Sequence, residues 1–169
     1  MATLTGSFLV ARPVLVDGNF RQAVVLLLSH GEEGAYGFVV NRPLSSSELP
    51  LPVFRGGPCE SPGLIMLHGH AEWAEPNIGE ADAPNREVLP GVYIGDATSL
   101  NQATTPTGQK HRYRIFQGYA GWGPGQLEQE IAAGAWTVTT ASAQLLFDVP
   151  PEELWNRLRP RTIPEPSLN

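Results

Sequence analysis

His30, Asn41, Arg42 and His68 lie in or beside apolar segments, where a polar side chain is costly unless it is paired or put to use. If those segments fold together, the four could converge on one side of a sheet. Such a set is either a cleft for a small anion or a reaction, or a satisfied network within the core. Cys59 follows the turn Gly56-Gly57-Pro58. A thiol there could act as a nucleophile with His68 or His70 nearby, or simply fill a small half-buried space. His68-Gly69-His70-Ala71-Glu72 puts two imidazoles and a carboxylate on one face of an extended strand, a geometry that can hold zinc. The same residues also fit a solvated turn.

Gly118-Tyr119-Ala120-Gly121-Trp122-Gly123-Pro124-Gly125 runs into Gln126-Leu127-Glu128-Gln129-Glu130. A glycine-rich loop at a helix start can present backbone N–H groups to an anion. This one lacks the Lys-Ser/Thr ending of a P-loop and the spacing of a dinucleotide fingerprint, and Glu128 and Glu130 would repel an anion there. A tight turn around Trp122 that docks the helix on the sheet is the simpler reading. The alternative is a turn that also walls a binding cleft.

Several elements must position these residues. Ala23 to His30 is apolar on both faces, as in a strand buried mid-sheet, and Tyr36 to Asn41 returns as its hairpin partner across a loop of three to five residues. Leu64 to His68, Val92 to Gly95, Tyr113 to Gln117 and Trp136 to Thr139 read as further strands. A helix is expected over Gly125 to Ala133, with Leu127 and Ile131 on one face and Gly134 as its stop. A second spans Pro151 to Leu158, opened by Pro and Glu152-Glu153 and closed by arginines. Ser45 to Pro52 reads as a connector, Ala71 to Gly91 as an exposed loop, and Ser99 to Ala103 as a short helix.

Length, composition and charge narrow the function classes. A chain of 169 residues suits one domain, here 1–159 with a flexible tail at 160–169. The net charge is −6 and Lys110 is the one lysine, which argues against direct nucleic-acid binding. A single cysteine fits a reducing compartment, and no apolar run approaches the ~20 residues that span a bilayer. A cytoplasmic protein that does not enter membranes is expected.

Four segments resemble the YqgE/AlgH family, also called UPF0301. They are Gly6-Ser7-Phe8-Leu9-Val10-Ala11 with Phe20; Val24 to Leu27 with His30 and Gly34 to Pro43; Gly56-Gly57-Pro58 with Leu67-His68; and Gly118 to Glu128 with Glu130, Trp136, Leu145 to Asp148 and Trp155. The resemblance implies an α+β fold in one domain, a curved and partly barrel-like mixed β-sheet flanked by helices. One branch of that family carries a transcriptional-regulator label, but the family supplies no catalytic residue set. Two departures stand out: the connector after Pro43 is short, and Cys59 stands where valine is common. The candidate binding cleft is therefore His30, Asn41, Arg42, Gly56, Gly57, His68, Gly121, Trp122 and Gly123, with no cofactor or metal expected. A binding or regulatory protein with an unknown protein or small-molecule partner is the first reading, and an enzyme or small-anion binder using the His/Asn/Arg set is the second.

Overall fold

The computed structural model describes residues 3–13, 20–44, 53–70, 87–95 and 113–159, with only the backbone at 61 and 62. Nine strands form one curled half-barrel sheet: β1 (Ser7–Ala11), β2 (Val24–Gly31), β3 (Gly34–Val39), β4 (Val53–Arg55), β5 (Cys59–His68), β6 (Glu87–Leu89), β7 (Val92–Gly95), β8 (Tyr113–Trp122) and β9 (Trp136–Thr140). Their order is β6-β7-β5-β8-β3-β2-β1-β9, and β4 joins β8 in parallel. Among the described residues the helices are α1 (Gln126–Ala132), α2 (Ala143–Asp148) and α3 (Pro151–Leu158).

Both faces of the sheet are covered, and strand alternation divides the core accordingly. Phe8 and Val10 of β1 join Leu26, Phe38, Phe116, Leu146, Phe147, Leu154 and Trp155 on one face. Leu9 and Ala11 join Val25, Leu27, Val39, Trp122, Leu127 and Trp136 on the other. The unbroken apolar run of β2 follows directly, since neither face meets water. On the α1 side, burying Leu127 alone stabilises the docking by about 2 kcal/mol. On the other, the Trp155 indole donates to the Ala11 carbonyl at 2.7 Å and ties α3 to β1.

The helix ends follow local chemistry. Ser142 caps α2 by accepting from the Leu145 N–H at 3.1 Å. After α1, Gly134 (φ +85°) donates to Ile131 and Ala135 to Glu130, which turns the chain sharply into β9.

Four expectations need correction. The β2–β3 loop is two residues, Glu32-Glu33, because Gly31 pairs with Gly34, whose φ of +129° absorbs the turn. The strand expected to stop at Gln117 continues to Trp122, so most of the supposed glycine turn is extended sheet. Within the expected 71–91 loop, Glu87–Leu89 is a strand held by pairing with β7. Helix α2 was not anticipated. The connector at 45–52, the helix at 99–103 and the tail at 160–169 lie outside the described residues.

Gly56, Gly57 and Gly118 have one shared purpose. Val53 to Arg55 pair with β8 on its β3 side, yet Cys59 pairs with Tyr119 on the β5 side. The chain must therefore cross β8 between them. A Cβ on Gly56 would stand 2.3 Å from the Gly118 carbonyl oxygen, and one on Gly57 2.2 Å from the Tyr119 carbonyl group. No side chain fits at that crossing.

Candidate functional site

The polar residues singled out from sequence occupy three separate places. His30 pairs with Ala35, which pairs with Trp122, the last residue of β8. His68 pairs with Tyr113, the first residue of the same strand. Nine steps along β8 put them about 30 Å apart along the strand. Asn41 and Arg42 lie at the other end of β2 from His30, roughly 20 Å away along that strand. The four side chains do not share a pocket.

Each has a structural partner. Asn41 Oδ1 accepts from the Val24 N–H at 3.0 Å and its Nδ2 donates to the Gln22 carbonyl at 2.9 Å. Gln22 has φ +58°, a conformation that costs a non-glycine residue about 1–2 kcal/mol and that Asn41 braces. Arg42 donates to the Arg21 carbonyl in the same turn. His68 is fully buried, stacked 5.6 Å from Tyr93, and its Nδ1 accepts from the His70 N–H at 3.1 Å. Glu72, the third member of the zinc pattern, lies outside the described residues, among which no cluster of three ligands forms.

His30 resembles half of a catalytic dyad, but its hydrogen bonds say otherwise. Nδ1 accepts from the Leu4 N–H at 3.0 Å, so Nε2 carries the hydrogen and donates it to Glu128 at 2.9 Å. Neither nitrogen is left for a proton transfer. The side chains are 2% and 29% exposed, and the hydrogen bond from His30 holds the Glu128 carboxyl below its ordinary range, aided by the Glu128 backbone N–H. His30 also fixes the N-terminal segment, donating its N–H to Thr5 Oγ1 at 3.0 Å and accepting at its carbonyl from Thr3 Oγ1 at 2.9 Å.

The Gly-Trp-Gly-Pro-Gly-Gln-Leu-Glu string is a second clamp. Glu130 Oε1 accepts from the indoles of Trp122 and Trp136, both at 2.9 Å, while Oε2 accepts from Gln126 Nε2 at 3.0 Å. Gln126 Oε1 reaches back to the Gly123 N–H at 3.0 Å, and Gly125, at φ +74°, admits the chain to α1. Phe20 packs on both indole rings, with centroids 6.1 and 5.6 Å away. The Gly123 and Gln126 amides are thus bonded within the loop rather than turned to an anion.

What the structure does assemble is an apolar cleft of about 550 Å³, lined by Leu28, Ala35, Tyr36, Phe38, Ile65, Ile94, Tyr119, Gly121 and Trp122. Gly121 creates the space. It faces Tyr36 across the β3–β8 pairing, so the missing side chain leaves a notch beside an aromatic ring that is 41% exposed. Tyr119, two residues away on the same face, meets Tyr36 edge to face at 6.4 Å. A second cavity of about 580 Å³ shares Ala35, Tyr36 and Trp122 and is otherwise lined by 29–34, including His30, Glu32 and Glu33. Gly57 and Cys59 border a third, of about 370 Å³, with Arg55 and Glu60.

With this geometry in place, known proteins give the chain its relatives. The family model described as AlgH-like matches residues 8–165. The chain belongs to the AlgH-like family. A UPF0301 protein of Myxococcus xanthus is 37% identical, the alignment covering 92% of this chain and 89% of the relative. One from Streptomyces coelicolor is 36% identical over 100% and 97% of the two chains. Among solved structures, AlgH from Pseudomonas aeruginosa, a UPF0301 protein, superposes with a TM-score of 0.69 at 30% identity, covering 92% of this chain and 87% of that one. A crystal structure from Corynebacterium diphtheriae reaches the same TM-score at 20% identity, covering 91% and 84%, and speaks to the fold alone. The AlgH-like fold is therefore the frame for the cleft, and in this chain Gly56, Gly57, Trp122 and Trp136 help to build that frame.

Of the nine candidate residues, Gly121 and Trp122 line the first cavity, His30 and Trp122 the second, and Gly57 the third. Tyr36, Tyr119, Ile65 and Ile94 were not anticipated. The signal for Tyr119 was present: read as a strand, Tyr119 shares a face with the candidate Gly121, while Ala120 and Trp122 share the other.

Proposed function

We propose that this AlgH-like protein is a non-enzymatic binding protein that acts through the cleft over the β3–β8 pairing. The observation that carries this reading is the open apolar volume beside the exposed Tyr36, its size within the range of small-molecule sites. The reading is further supported by His30, whose ring nitrogens are both engaged, and by the dispersal of Asn41, Arg42 and His68. A regulatory role would operate through an occupant of this cleft rather than through direct contact with nucleic acid, as the acidic charge suggests. No helix among the described residues is long and apolar enough to cross a membrane.

The test uses N-phenyl-1-naphthylamine, a neutral probe that brightens in apolar sites. Saturable one-to-one binding by wild type, lost in Gly121→Val, is expected. A Cβ at Gly121 meets only the Tyr119 ring, at 3.4 Å, so valine can fill the notch without backbone strain. Equal binding by both proteins would refute the reading.

A further inference from the structure

The first two cavities share Ala35, Tyr36 and Trp122 but differ in chemistry, and that difference constrains what can occupy them. The apolar one is walled by side chains of β2, β3, β5, β7 and β8. The second ends at the β2–β3 hairpin tip, where Glu32 and Glu33 are adjacent and exposed. Among the described residues neither carboxylate has an ion-pair partner, and neither cavity is lined by Lys or Arg. His30 does not offset them, because its hydrogen bonds go to Glu128 and Leu4. Tyr36 lines both cavities and is exposed.

We propose that these two neighbouring cavities together take a small organic cation: an aromatic or branched apolar body seated among Tyr36, Tyr119, Ile65 and Ile94, with an ammonium or guanidinium group directed at Glu32 and Glu33. The proposal rests on the cleft reading above and adds the ligand's charge and orientation. Burial of the apolar body supplies affinity, and the two carboxylates with the face of Tyr36 supply the preference for a cation. An anion of the same shape meets the same walls but is repelled at the hairpin. The net charge of −6 acts in the same direction.

Two probes with similar apolar bodies and opposite charge test it: 2-naphthylmethylammonium and 2-naphthylacetate, titrated calorimetrically at low salt. The cation should bind wild type about tenfold or more tightly than the anion, and the gap should shrink in high salt. Glu32→Gln with Glu33→Gln should bring the two affinities together. Gly121→Val should remove both, with Tyr36→Ala as a second cleft variant and circular dichroism confirming that each is folded. Equal affinity of the two probes for wild type, with both lost in Gly121→Val, would overturn the charge assignment while leaving the cleft intact. A cation preference that survives the double Gln variant would also overturn it. Failure of both probes to bind would overturn the proposal and the cleft reading together.

Discussion

Replacing Glu130 by Ala removes the acceptor for two indole N–H groups and one amide. Trp122 and Trp136 are only 6% and 3% exposed, so water cannot readily replace the carboxylate. A buried donor left without a partner costs about 1–3 kcal/mol, which puts the two indoles at roughly 2–6 kcal/mol together. For a chain of this size each kcal/mol lowers the melting temperature by about 2–4 °C, so a fall of roughly 4–24 °C is expected. Glu130→Gln keeps an oxygen that can accept from both indoles and should lose less than about 1 kcal/mol. The assay is chemical denaturation followed by tryptophan fluorescence and, independently, by circular dichroism. A double-mutant cycle with Trp136→Phe should return a coupling within the roughly 0.5–3 kcal/mol seen for residues in one network. If Glu130→Ala stays within about 0.5 kcal/mol of wild type, or matches Glu130→Gln, the clamp explanation of the Gly-Trp-Gly-Pro-Gly-Gln-Leu-Glu string is wrong.

Two further perturbations separate causes within the frame. Because the folded Glu128 carboxyl lies below its ordinary value, its contribution is fully present above the unfolded carboxylate pKa and is lost as pH falls through the folded value. The stability gap between wild type and Glu128→Gln, measured by urea denaturation from neutral pH downward, should therefore close in acid; a gap independent of pH would contradict the His30 bond as its origin. Gly57→Ala forces a Cβ to 2.2 Å from the Tyr119 carbonyl group at φ +155° and should cost about 3 kcal/mol or more, whereas Gly125→Ala, with open space at φ +74°, should cost only about 1–2 kcal/mol. Thermal melts of the two variants decide it, and equal losses would refute the strand-crossing account.

The frame was legible in the sequence wherever one physical signal dominated. The run from Ala23 to Leu28 announced a strand buried on both faces, and Pro151 with Glu152-Glu153 marked the start of α3. Gly134 marked the end of α1 for the same reason it ends it, a left-handed residue after the last turn. Gly118 and Gly121 misled because glycine signals both turns and close-packed strands, and only the pairing of Tyr119 with Cys59 and of Gly121 with Tyr36 decides between them. At the candidate site the polar residues were the visible feature, yet His30 and Asn41 spend their polar atoms on backbone groups and Glu128. The cleft was hidden because its walls come from strands as distant in sequence as β2 and β8, and an apolar side chain does not reveal whether it faces the core or a notch.

The most direct measurement is amide-resolved NMR of the ¹⁵N-labelled protein during titration with 2-naphthylmethylammonium. Saturable shift changes should concentrate at Ala35, Tyr36, Phe38, Ile65, Tyr119 and Gly121, extend to Glu32 and Glu33, and vanish in Gly121→Val. Changes centred instead on Asn41, Arg42 and His68, or scattered without saturation, would contradict the claim that the β3–β8 cleft is the binding surface.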